Sequence, residues 1–188
     1  MRILNFEEFN LEKPSIIDAI TRGAVFIHPT DTIYGIGCNA QLSSAVKKVR
    51  KLKARASNPF SVIAPSLGWI HENCIVTKEA EEWLEKLPGP YTLILKLKNN
   101  CVAKNVNSGL STLGIRIPNH WIRKLVEEAE VPVVTTSVNK SNEEYMTSLE
   151  DLDPSTKGGI DFLVYEGIKE GKPSKIIDLT KDVRVIER

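Results

Sequence analysis

The chain has 188 residues, of which 41% are hydrophobic and 26% are charged, and its formal net charge is +1 at pH 7. These values are typical of a globular domain and exclude a disordered chain, and no apolar run approaches the about 20 residues that a membrane-spanning helix needs. The three cysteines are odd in number and widely spaced, which supports neither a disulfide framework nor a zinc site. The N-terminus lacks the long apolar core of a signal peptide, so we expect a cytoplasmic protein with no membrane contact. The length of the chain fits one domain, and we expect that domain to cover residues 1–188.

Predicted strands and helices alternate through the first half of the chain. Short apolar runs bounded by turn residues predict strands over 24–28 and 60–64. Helical spacing and capping residues predict helices from Pro14 to Gly23, from Ser43 or Ser44 to about Arg55, around Trp69, and after Thr77.

The second half repeats this alternation and sets the expected fold class. Strands are predicted over 91–98, 111–117, 131–136, 162–165, 175–179 and, more weakly, 183–186, and an amphipathic helix over 118–129. Such alternation predicts an α/β fold with a twisted, open, mixed sheet and flanking helices, in which the late strands are candidates for antiparallel pairing.

A polar segment follows the first buried strand. Residues 29–40 read Pro-Thr-Asp-Thr-Ile-Tyr-Gly-Ile-Gly-Cys-Asn-Ala. Ligands of open α/β sheets bind beyond the carboxyl ends of strands, and Gly35 and Gly37 permit close approaches that a Cβ would block. These residues alone leave two interpretations open, a ligand site and an ordinary strand-to-helix loop.

Positive charge is concentrated in the middle of the chain. Residues 32–126 carry 14 basic and 5 acidic side chains, a net of +9, against −2 for residues 1–31 and −6 for residues 127–188. Six basic residues fall within nine positions: Lys47, Lys48, Arg50, Lys51, Lys53 and Arg55. Such a cluster attracts polyanions such as nucleotides or nucleic acid, and a solvated helix face is the alternative for its lysines.

Six short motifs occur along the chain in a fixed order. They are Pro29 to Gly37; Lys53-x-Arg55 with Asn58-Pro59; Pro88-Gly89-Pro90-Tyr91-Thr92; Arg116-Ile117-Pro118; Ser137-Val138-Asn139; and Ser174 to Asp178. Together they resemble the YrdC-like family, the threonylcarbamoyl-AMP synthases of tRNA modification, over about residues 14–188. The resemblance implies a YrdC/RibB-like fold.

The resemblance also implies an enzyme, a nucleotidyltransferase that joins L-threonine, bicarbonate and ATP into threonylcarbamoyl-AMP and releases pyrophosphate, with Mg²⁺ accompanying ATP. The implied partners are tRNA or double-stranded RNA and the tRNA threonylcarbamoyl-transfer machinery. This chemistry needs positioned substrates and neutralised charge rather than a nucleophilic side chain. Accordingly, we expect His28, His71 and His120 to be structural or exposed.

The functional residues of the family match particular positions of this chain. By resemblance, Lys53 and Arg55 are the expected catalytic residues. The expected threonine-site residues are Thr30, Thr32, Arg116, Ser137 and Ser174. The expected ATP-site residues are Lys53, Arg55, Asn58, Thr112, Asn139, Thr147 and Arg188, with Arg184 as the alternative to Arg188. Simpler roles also stay open: an ion pair for Arg116, and turn capping for Ser137 and Asn139.

Four positions depart from the family pattern. Ala56 replaces a proline, Ile63 stands where members often have a histidine, and Val138 and Asn142 alter the fifth motif. Because that histidine can contact threonine, the departures favour as an alternative an RNA-binding relative without synthase activity. A carbamoyl-transfer enzyme is a third hypothesis, which is disfavoured because we expect the short form of the family without an attached partner domain.

Overall fold

Short strands joined by helices and irregular loops make up the chain. The computed structural model describes residues 1–140 and 143–186. The described strands are β1 (Arg2–Leu4), β2 (Phe26–His28), β3 (Gly35–Gly37), β4 (Ser61–Ile63), β5 (Cys74–Ile75), β6 (Tyr91–Leu97), β7 (Thr112–Arg116), β8 (Val133–Ser137), β9 (Phe162–Val164), β10 (Lys175–Asp178) and β11 (Arg184–Ile186). The described helices are α1 (Phe6–Thr21), α2 (Ser43–Leu52), α3 (Leu67–Asn73), α4 (Lys78–Leu84), α5 (Ile122–Ala129) and α6 (Pro154–Lys157), with a 3-10 turn over Leu149–Asp151.

All of these strands belong to one mixed sheet. Its order is β1-β9-β2-β3-β8-β4-β7-β6-β10-β11, with β5 paired to β6. Parallel pairing joins β9 to β1 and β2, β4 to β7, and β6 to β10, whereas the other neighbours are antiparallel. Within the described residues β1 and β11 lie at opposite ends and do not pair, so the sheet is open, as predicted. Among the late strands, β11 pairs antiparallel with β10, while β9 and β10 pair parallel with earlier strands.

The predicted start of the first helix is wrong. Helix α1 begins at Phe6 rather than at Pro14, because Asn5 and Glu8 form a capping box. The Asn5 side chain accepts from Glu8 N at 2.9 Å, and the Glu8 carboxylate accepts from Asn5 N at 2.8 Å. These bonds satisfy two backbone donors that the helix start would leave without partners. Pro14 lies inside the helix.

The predicted ends of the second helix are also wrong. Helix α2 ends at Leu52 instead of near Arg55, and its N-cap is Leu42, without a side-chain hydrogen bond. The chain leaves the helix at Ala54, whose φ of 46° lies in the left-handed region. Arg55 therefore belongs to a loop.

The sequence did not predict strand β3. Its Gly-Ile-Gly sequence is poor in the side chains that favour strands. Pairing to β2 on one side and to β8 on the other nevertheless holds Gly35–Gly37 in the middle of the sheet. Tertiary pairing thus overrides local propensity here.

Alternate residues of the central strands pack against different layers. Ile27, Val62 and Val134 belong to the larger core, which includes residues of α2, α3 and α4. The residues next to them, Phe26, Ile63 and Val133, pack with α1 and α5 on the opposite face. That second face also carries the side chains of the candidate site.

Candidate functional site

A polar cleft lies on the sheet face that carries α1 and α5. Its first cavity has a volume of about 370 Å³, and a second cavity of about 320 Å³ adjoins it, because Arg55, Ser61 and Thr92 line both. The polar or charged residues of the first cavity are Thr30, Thr32, Tyr34, Arg55, Ser61, Thr92, Arg116, Thr135, Thr136, Ser137 and Ser174. The second cavity adds Thr112, Asp178 and Thr180.

Strand β7 shows how the sheet gathers these residues. Thr112, Gly114 and Arg116 alternate with Leu113 and Ile115 of the larger core and face the cleft together, as predicted for Thr112 and Arg116. Gly114 pairs with Ser61 of β4, and a Cβ on Gly114 would lie 2.8 Å from Ser61 Oγ. A glycine at this position therefore keeps the floor of the second cavity open.

The loop between β2 and β3 is organised by the hydroxyl of Thr30. Thr30 Oγ1 donates to Ile33 O at 2.7 Å and accepts from the N–H groups of Thr32 and Ile33 at 3.1 and 3.2 Å. Because this proton goes to Ile33 O, Thr32 Oγ1 is the donor in the 2.9 Å contact between the two hydroxyls. Thr30 therefore shapes the loop, which we call the 29–34 loop.

Thr32 connects this loop to Arg116. Arg116 Nη2 donates to Thr32 Oγ1 at 3.2 Å and to Asp31 Oδ1 at 2.8 Å, and Asp31 Oδ2 accepts from Asn119 N at 2.9 Å. The ion pair that the sequence left open for Arg116 is thus present. Arg116 also lines the first cavity, so the ion pair and a ligand contact are compatible.

Gly35 and Gly37 provide the space that the imidazole of His28 occupies. A Cβ on Gly35 would lie 3.0 Å from His28 Cε1, and one on Gly37 would lie 3.1 Å from His28 Cδ2. The ring is fully buried, and its Nδ1 lies 3.2 Å from Pro29 O. Burial lowers the pKa of His28 to about 3, so the imidazole is neutral at pH 7. The expectation that His28 is structural is confirmed.

Lys53 is buried behind the wall of the first cavity. It is 2% exposed, and its Nζ donates to Ser137 O at 2.7 Å and to Asn139 Oδ1 at 2.5 Å. Burial, with a smaller contribution from Arg55, lowers the pKa of Lys53 to about 8. Because Ser137 lines the cavity and Lys53 does not, Lys53 fixes the end of β8 in this structure. Its direct contact with ATP stays a prediction.

Arg55 lies where the two cavities meet. Its guanidinium carbon is 5.3 Å from the centre of the Phe60 ring, and its Nη2 donates to Pro59 O at 2.9 Å. Arg50 of α2 stabilises the same loop, since its Nη1 donates to the carbonyl oxygens of residues 55, 56 and 58 at 3.1, 3.3 and 3.2 Å. The sequence alone does not distinguish Arg50 from the exposed lysines around it.

The chain between β9 and β10 borders the first cavity. We call residues 166–174 the strap. Near its start, Tyr34 Oη donates to Gly167 O at 2.7 Å and accepts from Glu166 N at 3.0 Å. At its end, Ser174 Oγ lies 2.7 Å from Thr92 Oγ1, and both residues line the first cavity. The strap thus carries Ser174, an expected threonine-site residue, into the cleft.

Several expected ATP-site residues lie outside the described linings of both cavities: Lys53, Asn58, Asn139 and Thr147. Asn58 is exposed, Asn139 Oδ1 accepts from Lys53, and Thr147 Oγ1 donates to Asp151 Oδ2 at 2.7 Å. Arg184 is exposed on β11, whereas Arg188 and the departure at Asn142 lie outside the described residues. Their expected contacts with ATP stay predictions.

Other lining residues were not predicted as site residues. Ser61, Thr92 and Thr135 line the first cavity from three different strands, and Asp178 lines the second. Thr92 and Asp178 fall inside two of the six motifs, which is the signal that could have identified them. Ser61 and Thr135 pair directly across β4 and β8, a register that local sequence does not specify.

Ile63, which stands where family members often have a histidine, is not among the described residues that line either cavity. Its side chain is fully buried in the cluster that α1 and α5 form with the sheet. Ser61 is the β4 residue that faces the first cavity. Ile63 therefore supports the cleft from within the core.

The described residues contain no helix with the length and apolar character that a bilayer span requires. In the same residues, no three or more His, Cys, Asp and Glu side chains are grouped as a metal site would need.

Comparisons with known proteins assign the family. The Sua5/YciO/YrdC family model, described as "Telomere recombination", matches residues 18–188. The chain belongs to the Sua5/YciO/YrdC family. A relative from Methanocaldococcus jannaschii is 36% identical over 185 residues, which cover 95% of this chain and 86% of that protein. The threonylcarbamoyl-AMP synthase of Pyrococcus abyssi is 34% identical over 170 residues, which cover 86% of this chain and 49% of that protein.

Solved structures of the Sua5/YciO/YrdC family confirm the expected fold. P. abyssi Sua5 complexed with L-threonine has a TM-score of 0.85 at 29% identity, over 99% of this chain and 56% of that one. A second structure of P. abyssi Sua5 has a TM-score of 0.90 at 30% identity, over 100% of this chain and 57% of that one. This chain thus spans about half the length of P. abyssi Sua5.

Proposed function

We propose that this chain is a threonylcarbamoyl-AMP synthase, a nucleotidyltransferase acting on L-threonine, bicarbonate and ATP. The observation that carries the proposal is the cleft itself, in which Arg116 and a set of hydroxyls face one cavity and Arg55 stands at the boundary with the next. The name of the P. abyssi relative and the L-threonine complex of P. abyssi Sua5 support it.

Threonine occupies the first cavity in this proposal. Arg116 is held by Asp31 in a fixed orientation, and its planar guanidinium suits a carboxylate. Hydroxyls of Thr32, Ser137 and Ser174 line the same cavity and can bond the amine and hydroxyl of the amino acid. The pair of Arg116 and Thr32 thus orients the substrate from its carboxylate end.

The phosphates of ATP lie toward Arg55 and the second cavity. Among the described residues that line the two cavities, only Asp178 is acidic, and it lines the second cavity. Its Oδ1 accepts from Thr180 N at 2.9 Å. A carboxylate beside phosphates is repulsive unless a cation bridges them, and Mg²⁺ commonly binds one or two carboxylates together with substrate phosphates. We therefore propose that ATP enters as its Mg²⁺ complex and that Asp178 faces the metal.

The reaction asks for positioning more than for covalent catalysis. The amine of threonine and bicarbonate combine to give a carbamate and water. A carbamate oxygen then attacks the α-phosphorus of ATP, the bond from that phosphorus to the bridging oxygen breaks, and pyrophosphate leaves. Arg55, at the boundary of the cavities, is placed to stabilise the charge that develops on the phosphates.

The product is a reactive mixed anhydride, which needs a further enzyme to pass its threonylcarbamoyl group to tRNA. We propose the tRNA-modification machinery as that partner. Helix α2 offers a charged surface for contact with RNA, formed by its exposed lysines Lys47, Lys48 and Lys51. None of these lysines is among the described residues that line the two cavities of the cleft.

The proposal is tested by measuring pyrophosphate release. Release should require threonine, bicarbonate, ATP and Mg²⁺ together, and release that continues without threonine would contradict the proposal. Arg55→Ala should lower turnover by about 100-fold or more, because it removes a preorganised charge at the reacting phosphates. Lys51→Ala, which removes an equal charge from exposed α2, is the matched control and should keep turnover within about twofold while weakening RNA binding.

A further inference from the structure

Gly171 of the strap lies directly against the backbone of Thr32. A Cβ built on Gly171 would lie 2.0 Å from Thr32 O and 2.9 Å from the Thr32 carbonyl carbon. The φ angle of Gly171 is not in the left-handed region, so the glycine serves close approach rather than an unusual conformation. Since the neighbour is backbone, it cannot rotate away as a side chain would.

The strap has little freedom to retreat from this contact. Tyr34 Oη holds Glu166 and Gly167 on one side of Gly171, and the 2.7 Å contact with Thr92 holds Ser174 on the other. Tyr145 Oη also donates to Gly171 O itself at 3.1 Å. A larger residue at position 171 would therefore displace the 29–34 loop as well as the strap.

Thr32 is the point at which such a displacement reaches the first cavity. Its Oγ1 contacts Thr30 Oγ1 at 2.9 Å and accepts from Arg116 Nη2 at 3.2 Å. A shift of about 1 Å would lengthen these contacts beyond hydrogen-bond range. The strap contact and the orientation of Arg116 are thus coupled through one residue.

We infer that Gly171 is a positioning residue for the amino-acid substrate, acting through Thr32. This inference rests on the proposed function, since it assigns threonine to the first cavity. The contact with the strap sets the position of the 29–34 loop, and that position determines how threonine fits against Thr32 and Arg116. ATP, placed toward Arg55 and the second cavity, does not depend on the contact.

The test compares the binding of two ligands to Gly171→Ala by titration calorimetry. The dissociation constant for threonine should rise by about tenfold or more, because the hydrogen bonds that Thr32 makes with Arg116 and with the substrate would be lost. The constant for a non-hydrolysable ATP analogue should change by less than about threefold, because Arg55 and the second cavity are untouched. Equal weakening of both ligands, or no weakening of threonine binding, would overturn the inference.

Gly158→Ala is the matched control. A Cβ there would have its nearest neighbour, Ser155 O, at 3.9 Å, so nothing must move, and threonine binding should stay within about twofold of the wild type. Tyr34→Phe provides a second variant in case Gly171→Ala does not fold. It keeps the ring stacked on Tyr165 at 5.9 Å but removes both hydrogen bonds to the strap. It should weaken threonine binding by about threefold, again without a matching loss for the ATP analogue.

Threonine binding by the wild-type protein distinguishes a failure of this inference from a failure of the proposed function. Wild-type protein that binds no threonine contradicts the proposed function and, with it, the inference. If the wild type binds threonine and folded Gly171→Ala binds it equally tightly, the inference alone fails. Where Gly171→Ala does not fold, unchanged threonine binding by Tyr34→Phe has the same meaning.

Discussion

Arg116 and Asp31 join the end of β7 to the 29–34 loop through an ion pair of 2.8 Å. The exposed fractions of the two side chains are 7% and 10%, so little water screens the pair. A bond of this kind fixes an arginine at the bottom of a cleft before any ligand arrives. Such preorganisation lowers the entropy that ligand binding must overcome.

Arg116→Lys should weaken threonine binding by about tenfold or more, because an ammonium cannot reproduce the planar fork that meets Asp31, Thr32 and a carboxylate together. Titration calorimetry with threonine is the measurement. Arg22→Lys is the matched control, because Arg22 lies at the exposed end of α1 and is not among the described residues that line the two cavities. This variant should bind threonine as the wild type does. Wild-type affinity in Arg116→Lys would contradict a carboxylate contact by Arg116.

Lys53→Met should lower both stability and turnover. The substitution keeps the bulk of the side chain but removes the donor to Ser137 O and Asn139 Oδ1. Because a buried acceptor is then left without a donor, the free energy of unfolding should fall by about 1–3 kcal/mol. Urea unfolding and pyrophosphate release are the two measurements. The same change at exposed Lys51 is the control and should alter neither, and normal turnover in Lys53→Met would rule out a need for this lysine.

His28 should make the protein less stable as the medium becomes acidic. Its pKa is about 3 in the folded protein against an ordinary value of 6.5, so between these values the unfolded chain binds a proton that the folded chain does not. Stability is therefore lost as pH falls below 6.5 and is unaffected above it. At pH 5 the loss from this group alone amounts to about 2 kcal/mol.

His28→Phe tests this effect, since the substitution removes the titrating group and keeps an aromatic ring beside Phe26. Urea unfolding at pH 7.5 and pH 5 should give a pH-dependent loss about 2 kcal/mol smaller in the variant than in the wild type. His71→Gln, at an exposed position, should keep the wild-type loss. An identical pH dependence in His28→Phe and wild type would show that His28 is not the group responsible.

Asp178→Asn should raise the Mg²⁺ concentration needed for half-maximal pyrophosphate release by about tenfold, because a neutral amide is a weaker ligand for a hard cation. Binding of Mn²⁺ with an ATP analogue, followed by electron paramagnetic resonance, gives a second measurement that does not depend on turnover. Asp182→Asn, four residues further along the chain and exposed, is the matched control. Unchanged metal dependence in Asp178→Asn would contradict the proposed metal contact.

Local pattern predicted most elements but failed where tertiary pairing decides. Strand β6 and helix α4 follow from alternation and from the Thr77 cap, which accepts from Ala80 N at 3.3 Å. Strand β3 could not be predicted, because only its neighbours hold Gly35–Gly37 extended. The start of α1 was missed because Pro14 is a stronger local signal than the Asn5 capping box.

The candidate site was predictable to a similar degree. Four motif residues, Arg55, Arg116, Ser137 and Ser174, line one cavity, since each motif lies at or near a strand end. They did not reveal that Lys53 is turned inward toward Asn139, because the left-handed turn at Ala54 separates it from Arg55. They also did not reveal Gly171, whose importance depends on a contact with a residue far away in sequence.

The insertion of β9 between β1 and β2 affects how the protein folds. The first two strands of the chain never touch in this order, and each pairs with residues near 163 instead. Contacts of such long range make folding slow, because closing the long intervening loop lowers the entropy of the chain before the contacts can compensate for that loss. On the ribosome, β1 and the edge of β2 that pairs with β9 would stay unpaired until most of the chain had emerged, leaving a sheet edge that a chaperone could protect.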